Sequence, residues 1–176
     1  MFSYEIKVPK DRVAVLIGKK GEVKRRIERF TKTKITVDSQ EGNVTIESED
    51  SFAAFNTQII VKAIARGFNP NIALLLKKET FGLEIIDMTD FVGKSKRKMH
   101  RFKARLIGTH GKAWKTIESL TKCHLSIYGK TVGIIGPAEE VALARQAVED
   151  LLKGAPHGHV YNYVKDIKKK DKLGLR

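Results

Sequence analysis

The chain repeats itself. Laid over itself at an offset of 90, residues 17–36 meet residues 107–126 with seven identities in twenty positions: Ile17/Ile107, Gly18/Gly108, Gly21/Gly111, Ile27/Ile117, Glu28/Glu118, Thr31/Thr121 and Lys32/Lys122. The apolar pairs Ile35/Leu125 and Val37/Ile127 continue the pattern beyond them. A repeat of about half of the 176 residues means that one small architecture is built twice. Two domains, each with its own core, are therefore expected in place of one mid-sized domain.

Hydrophobic spacing gives the same order of elements in both halves. In the first, "SYEIKVP" alternates as a half-buried strand does, and "KDRVAVLIG" reads as a short helix stopped by Gly18. Val23, Ile27 and Phe30 recur on one face of a second helix. "KITVDSQEGNVTIES" reads as two strands turning at Glu41-Gly42-Asn43, and "DSFAAFNTQIIVKAIARGF" as a longer helix capped by Asp50 or Ser51 and ended by Gly67. In the second half "GLEIIDMTDFV" supplies the strand, and "SKRKMHRFKARLIG" and "GKAWKTIESLTK" supply the two helices. "CHLSIYGKTVGIIG" is a hairpin around Gly129, and "PAEEVALARQAVEDLLKG" a last helix with Pro137 at its first position. Residues 68–80 read as a short linking helix, and Pro156 opens a further helix, "PHGHVYNYVKDIKKK", that ends in a solvated basic tail; the segment "KDIKKKDKLGLR" reads as disordered, an extra electrostatic arm.

Between the first two helices of each half stand "LIGKKG" and "LIGTHG". A helix-Gly-x-x-Gly-helix element within a β-α-α-β-β-α unit resembles the KH domain, type I in its ordering, and the resemblance spans both halves. One such pair of glycines reads equally well as a helix corner; two at the same place in a repeated string of elements do not. The resemblance implies an α+β fold of two tandem type I KH domains, each a three-stranded antiparallel sheet packed on three helices. The boundaries expected are 1–67 for the first domain, 68–80 for the linking helix, 81–154 for the second domain, and 155–176 for the C-terminal helix and tail. The GxxxxGK[ST] phosphate loop is excluded: Leu106 stands where its first glycine belongs and Ala113 where its Ser or Thr belongs.

Charge agrees with a polyanionic partner. The net charge is +14, and it is not spread evenly. Residues 7–34 hold eleven Lys and Arg against three acids, and residues 91–117 hold nine and no acid. Residues 37–61 hold five acids and no base. Basicity thus gathers around the two glycine loops, as a phosphate-binding role requires. A turn without Cβ atoms lets a sugar-phosphate backbone approach the main chain, and the helix it opens presents unpaired N–H groups and a positive dipole end. In the KH family the loop clamps about four nucleotides of single strand.

The candidate RNA-binding residues are accordingly Gly18, Lys19, Lys20, Gly21, Lys24 and Arg25 in the first half. In the second they are Arg105, Gly108, Thr109, His110, Gly111, Lys112, Trp114 and Lys115. Two lysines at the first loop offer charge; Thr109 and His110 at the second offer a hydroxyl and an imidazole. Three residues past the second glycine the family carries an apolar residue; Lys24 stands there in the first copy and Trp114 in the second.

Other chemistry finds no support. Ser-His-Asp, paired-carboxylate and metal-ligand patterns are missing, and His157-Gly158-His159 has neither Cys nor acid beside it. No catalytic residue, cofactor or metal is expected. The lone cysteine, Cys123, excludes an intrachain disulfide and reads as a small core residue in a reducing compartment. No apolar run approaches 18 residues and the N-terminus lacks a signal-like core, so a cytoplasmic protein without membrane contact is expected.

The segments "YGKTV" and "KGAPHGHVY" are more particular. They resemble the two-KH proteins of small ribosomal subunit assembly of the partner-of-Nob type. That resemblance implies binding of single-stranded RNA near the 3′ end of small-subunit rRNA. The implied neighbour is the endonuclease that matures the rRNA; translation or ribosome proteins are further candidate partners, and a monomer is expected. The alternatives are a KH subunit of another RNA machine, such as an exosome or a transcription or translation factor, and a nuclease.

Overall fold

The computed structural model describes residues 1–175. The chain forms two compact units, residues 1–83 and residues 84 onward. In the first, strand β1 (Phe2–Lys7), helices α1 (Lys10–Ile17) and α2 (Glu22–Thr31), strands β2 (Lys34–Val37) and β3 (Asn43–Ser48), and helix α3 (Ser51–Ala65) follow in that order. The sheet runs β1-β3-β2. Both neighbours are antiparallel to β3, with Phe2 opposite Ser48, Lys7 opposite Asn43 and Val37 opposite Val44. The period of two puts Ile35, Val44 and Ile46 on one face, where they are buried with Leu16, Ile27, Ile60 and Ile64 of the helices. Asp50 caps α3 by accepting the Phe52 N–H at 2.9 Å.

After α3 the chain makes a one-turn helix α4 (Pro70–Ala73) and a 3₁₀ turn, Leu74–Lys77. Asn69 caps α4 through the Asn71 N–H, and Pro70 occupies the first turn where its missing N–H costs nothing. Phe68, Ala73 and Leu76 are buried, and both turns pack on α3, so the segment is docked on the first unit.

The second unit repeats the plan with β4 (Phe81–Asp87), α5 (Thr89–Val92), α6 (Lys96–Ile107), α7 (Lys112–Thr121), β5 (His124–Tyr128), β6 (Thr131–Pro137), α8 (Ala138–Leu152) and α9 (His157–Lys172). Its sheet order, β4-β6-β5, is that of the first. The β5-β6 hairpin closes in two residues, with Tyr128 opposite Thr131 and φ of +55° at Gly129. Cys123 is buried, and that burial pushes its thiol up to about 11, so it sits protonated in the core.

Three expectations need correction. The strand ends at Asp87 instead of continuing through "MTDFV", because the Asp87 carboxylate accepts both the N–H and the hydroxyl of Thr89 and starts α5. Pro137 closes β6 and precedes the helix, which begins at Ala138. The basic tail is no disordered arm: α9 continues through "KDIKKK" to Lys172. Val160 and Val164 are buried in the core cluster with Ile167 against it, an i, i+4, i+7 stripe beneath the lysines. Lys168 pairs with Glu140 of α8 and ties the helix down. Arg176 lies outside the described residues. Among the described residues no helix is long and apolar enough to cross a membrane.

The repeated residues explain how the second helix of each unit is held. Ile27 and Ile117 are buried. Thr31 and Thr121 donate to the carbonyls of Ile27 and Ile117 at 2.8 and 2.6 Å. Glu28 and Glu118 accept the N–H of Ile35 and Leu125 at 2.8 and 3.2 Å, binding helix to following strand. Lys32 and Lys122 take the left-handed conformation, φ 59° and 56°, that ends each helix.

Candidate nucleic-acid interface

Both glycine loops adopt one conformation. Gly18 and Gly108 stand at φ, ψ of 74°, 177° and 75°, 172°; Gly21 and Gly111 at 73°, 16° and 72°, 16°. Between them Lys20 and His110 are left-handed as well, at 54°, 28° and 53°, 30°. The N–H of the first glycine closes the preceding helix onto Ala14 O or Ala104 O, at 2.9 and 2.8 Å. The second glycine opens α2 or α7, and neither helix has a side-chain cap. Each loop therefore delivers an uncapped helix N-terminus to the surface, an arrangement that attracts phosphate.

The two glycines of a pair serve different ends. A Cβ on Gly18 would lie 2.4 Å from Val23 Cγ2 and 2.9 Å from Val23 N, and one on Gly108 2.7 Å from Ala113 N. The first glycine is thus required by the packing of loop on helix. A Cβ on Gly21 would meet only the end of Arg25, 3.1 Å from Nη1, and one on Gly111 only Lys115 Cε at 3.9 Å. The protein itself does not fill the space over the second glycine. What reaches it is a cation four residues on, Arg25 or Lys115, one turn up the helix.

The remaining candidates divide. Lys19, Lys20, Thr109, His110 and Lys112 are exposed around the loops. Lys24 is partly withdrawn: its ammonium pairs with Glu28 at 3.2 Å. Trp114 is half-buried against the core cluster of the second unit. Arg105 is engaged internally, donating to Leu151 O at 2.8 Å in the last turn of α8 and to Ala155 O at 2.7 Å just beyond it. Arg12 does the same in the first unit, donating to Ile64 O and Phe68 O at 2.8 Å each. The two arginines are not repeat partners, since the position matching Arg105 is Val15. Each unit thus has a guanidinium fork that bridges a carbonyl in the last turn of its closing helix and one just beyond it. Replacing Arg105 with Gln is expected to lower the second unit's stability by about 2 kcal/mol. Chemical denaturation checks this.

Sequence reading missed His157 and Tyr161. With Arg101, Thr109 and Lys112 they line a cavity of about 530 Å³ beside the second loop. His157 Nε2 lies 2.8 Å from Arg105 O, and its ring centroid 6.1 Å from that of Tyr161. No periodicity links a helix fifty residues away to the loop; only the docking of α9 does.

The fold and the paired loops define tandem type I KH domains, modules that bind single-stranded nucleic acid. Family models agree: a KH domain matches residues 3–54, and the eukaryotic type KH domain (KH domain type I) of PNO1's second copy matches residues 82–169. The KH domain-containing protein MJ0443 of Methanocaldococcus jannaschii is 45% identical over 171 residues, covering 95% of this chain and 74% of that protein. RNA-binding protein PNO1 of Oryzias latipes is 28% identical over 122 residues, covering 69% of this chain and 50% of that one. Among solved structures, a chain of the a/eIF2alpha-aDim2p-rRNA complex from Pyrococcus horikoshii superposes with a TM-score of 0.89 at 44% identity, covering 96% of this chain and 95% of that one. The chain belongs to the PNO1/Dim2 family of two-KH-domain RNA-binding proteins.

Proposed function

We propose that the protein is a non-enzymatic assembly factor of the small ribosomal subunit that holds single-stranded rRNA near its 3′ end. Both glycine loops act as phosphate clamps. The observation that carries this reading is that only the end of a basic side chain, Arg25 or Lys115, comes near a Cβ on Gly21 or Gly111, each above an uncapped helix. Lys19, Lys20 and Arg25 neutralise phosphate at the first clamp. Thr109, Lys112 and Lys115 do so at the second, where Trp114 floors the base groove. Family likeness supports the ribosomal setting, since the Pyrococcus horikoshii complex that contains aDim2p also holds rRNA and a/eIF2alpha. Protein partners of the translation machinery, or the endonuclease that trims the rRNA, would then sit on the same particle.

The test is binding of RNA from the 3′ end of small-subunit rRNA against a scrambled strand, over a range of salt. The expected result is preference for the former, a steep salt dependence, and no metal-dependent cleavage. Equal affinity for both strands would sink the 3′-end assignment, and cleavage the non-enzymatic one. Replacing Lys19 and Lys20 together with Ala should lower the slope of log affinity against log salt by about 1.4, at roughly 0.7 per lost phosphate contact. An unchanged slope would remove the first clamp from the RNA track.

A further inference from the structure

Nine residues separate Val8 from Gly18, and nineteen separate Met88 from Gly108. The two spans begin at equivalent points, because Val8 N–H donates to Gly42 O and Met88 N–H to Lys130 O, each at 2.8 Å. The second unit therefore carries ten extra residues between its first strand and its glycine loop. They form α5, the Gly93–Ser95 link and an additional turn of α6. In the first unit Pro9 leads directly into α1.

The inserted residues make a concave site. A cavity of about 400 Å³ is bounded by Lys94, Lys96, His100, Lys103 and, from the hairpin turn, Lys130; Met99 lines it too. Met99 is buried, and the five nitrogen-bearing side chains come from two stretches of chain, residues 94–103 and the hairpin turn. Among the described residues no Asp or Glu lines the cavity. The nearby Asp87 carboxylate is turned onto the Thr89 N–H and hydroxyl. Four lysines around one hollow repel each other, offset in part only where Lys130 faces the Asp87 carboxylate. A bound anion removes that cost.

The position of the hollow names the anion. Lys96, His100 and Lys103 follow at i, i+4 and i+7, and the same stripe continues to Ile107, which is 42% exposed beside Gly108. One face of α6 thus joins the hollow to the second glycine loop. The helix rises about 1.5 Å per residue, so the two ends lie about 18 Å apart, roughly five nucleotides of stacked strand at about 3.4 Å each.

Building on the clamp assigned above, we propose that this insertion is a second phosphate site, which holds the same RNA strand after it leaves the loop at Gly108–Gly111. The second KH unit then reads a longer footprint than the first, and its specificity for an extended strand is electrostatic at the far end. Because a tetranucleotide fills the clamp without reaching the hollow, RNA length separates the two sites.

The experiment measures binding of the full chain to the best-bound RNA tetranucleotide, and to the same tetranucleotide extended on its 5′ or 3′ side to ten nucleotides. For the unaltered protein, one extension is expected to gain at least tenfold in affinity. In a K94E/K130E double variant that gain should disappear while tetranucleotide affinity stays the same. Circular dichroism and thermal unfolding verify that the variant is folded. If the extension gain survives in the variant, or if the tetranucleotide weakens as much as the decamer, the hollow is not a separate site. The G111D variant is run alongside and should lose both ligands. If it instead binds like the unaltered protein, the clamp itself is misassigned and the site built on it falls with it.

Discussion

Replacing Gly111 with Asp is expected to abolish tight binding of single-stranded RNA by the second KH unit while leaving the unit folded. The left-handed conformation there, φ 72° and ψ 16°, is one that Asp tolerates better than most residues. The new Cβ meets nothing nearer than Lys115 Cε at 3.9 Å, so the fold has room for it. What the carboxylate takes is the space left for phosphate. It also offers itself to the N–H groups at the start of α7 and to Lys115, converting an anion site into a capped helix. Losing one or two charge-assisted contacts and adding repulsion corresponds to about 2–3 kcal/mol, roughly 30- to 150-fold in affinity. Fluorescence anisotropy with labelled RNA reads the affinity, and thermal unfolding should show a melting temperature at or above that of the parent. Unchanged affinity would mean that Gly111 does not face the ligand. Gly21→Asp asks the same of the first unit, where the carboxylate would meet the Arg25 guanidinium.

The opposite outcome is expected three residues earlier. Gly108→Ala should unfold or strongly destabilise the second unit, though the substitution adds a single methyl group. At φ 75°, ψ 172° the backbone is in a region open in practice to glycine alone. The added Cβ would also lie 2.7 Å from Ala113 N and 2.8 Å from Ala113 Cβ, and Ala113 is itself buried. Backbone strain of about 1–3 kcal/mol and the clash together come to roughly 3 kcal/mol or more. For a unit of this size that lowers the melting temperature by about 10–20 °C. Gly18→Ala should do the same to the first unit through Val23. Calorimetry of the two variants is the check, and a loss under about 1 kcal/mol would show that loop and helix can separate cheaply. Together the two substitutions split the GxxG motif: its first glycine serves the protein, and its second serves the ligand.

That division was not legible in the motif, where both glycines look alike. The repeated spacing did reveal two units, their element order and the location of both loops. Those features rest on backbone conformation and on periodicity within a dozen residues, which a sequence displays directly. The docking of the basic end of α9 was hidden for a related reason. Val160, Val164 and Ile167 carry its buried stripe, but the five lysines from Lys165 to Lys172 dominate the composition there and disguise a docked helix as a solvated tail.

Arg105 shows most clearly what local reading lacks. It stands in an acid-free basic segment beside a glycine loop, and by composition alone it belongs with the RNA ligands. In the folded unit its guanidinium is held by the carbonyls of Leu151 and Ala155, 46 and 50 residues away. The same holds for Arg12, bound to Ile64 and Phe68 at separations of 52 and 56. Basic side chains are engaged within the protein or left at its surface according to which carbonyls the fold brings near them.

By itself, then, the amino-acid sequence determined a doubled β-α-α-β-β-α chain with an exposed, basic glycine turn in each half. These are properties of neighbouring residues. Tertiary structure alone decided which cations are engaged internally, which glycine is packed and which is open, and that a docked final helix lines the cavity beside the second loop. Those depend on segments far apart in the chain meeting at a distance of a few ångströms, and no local pattern records the meeting.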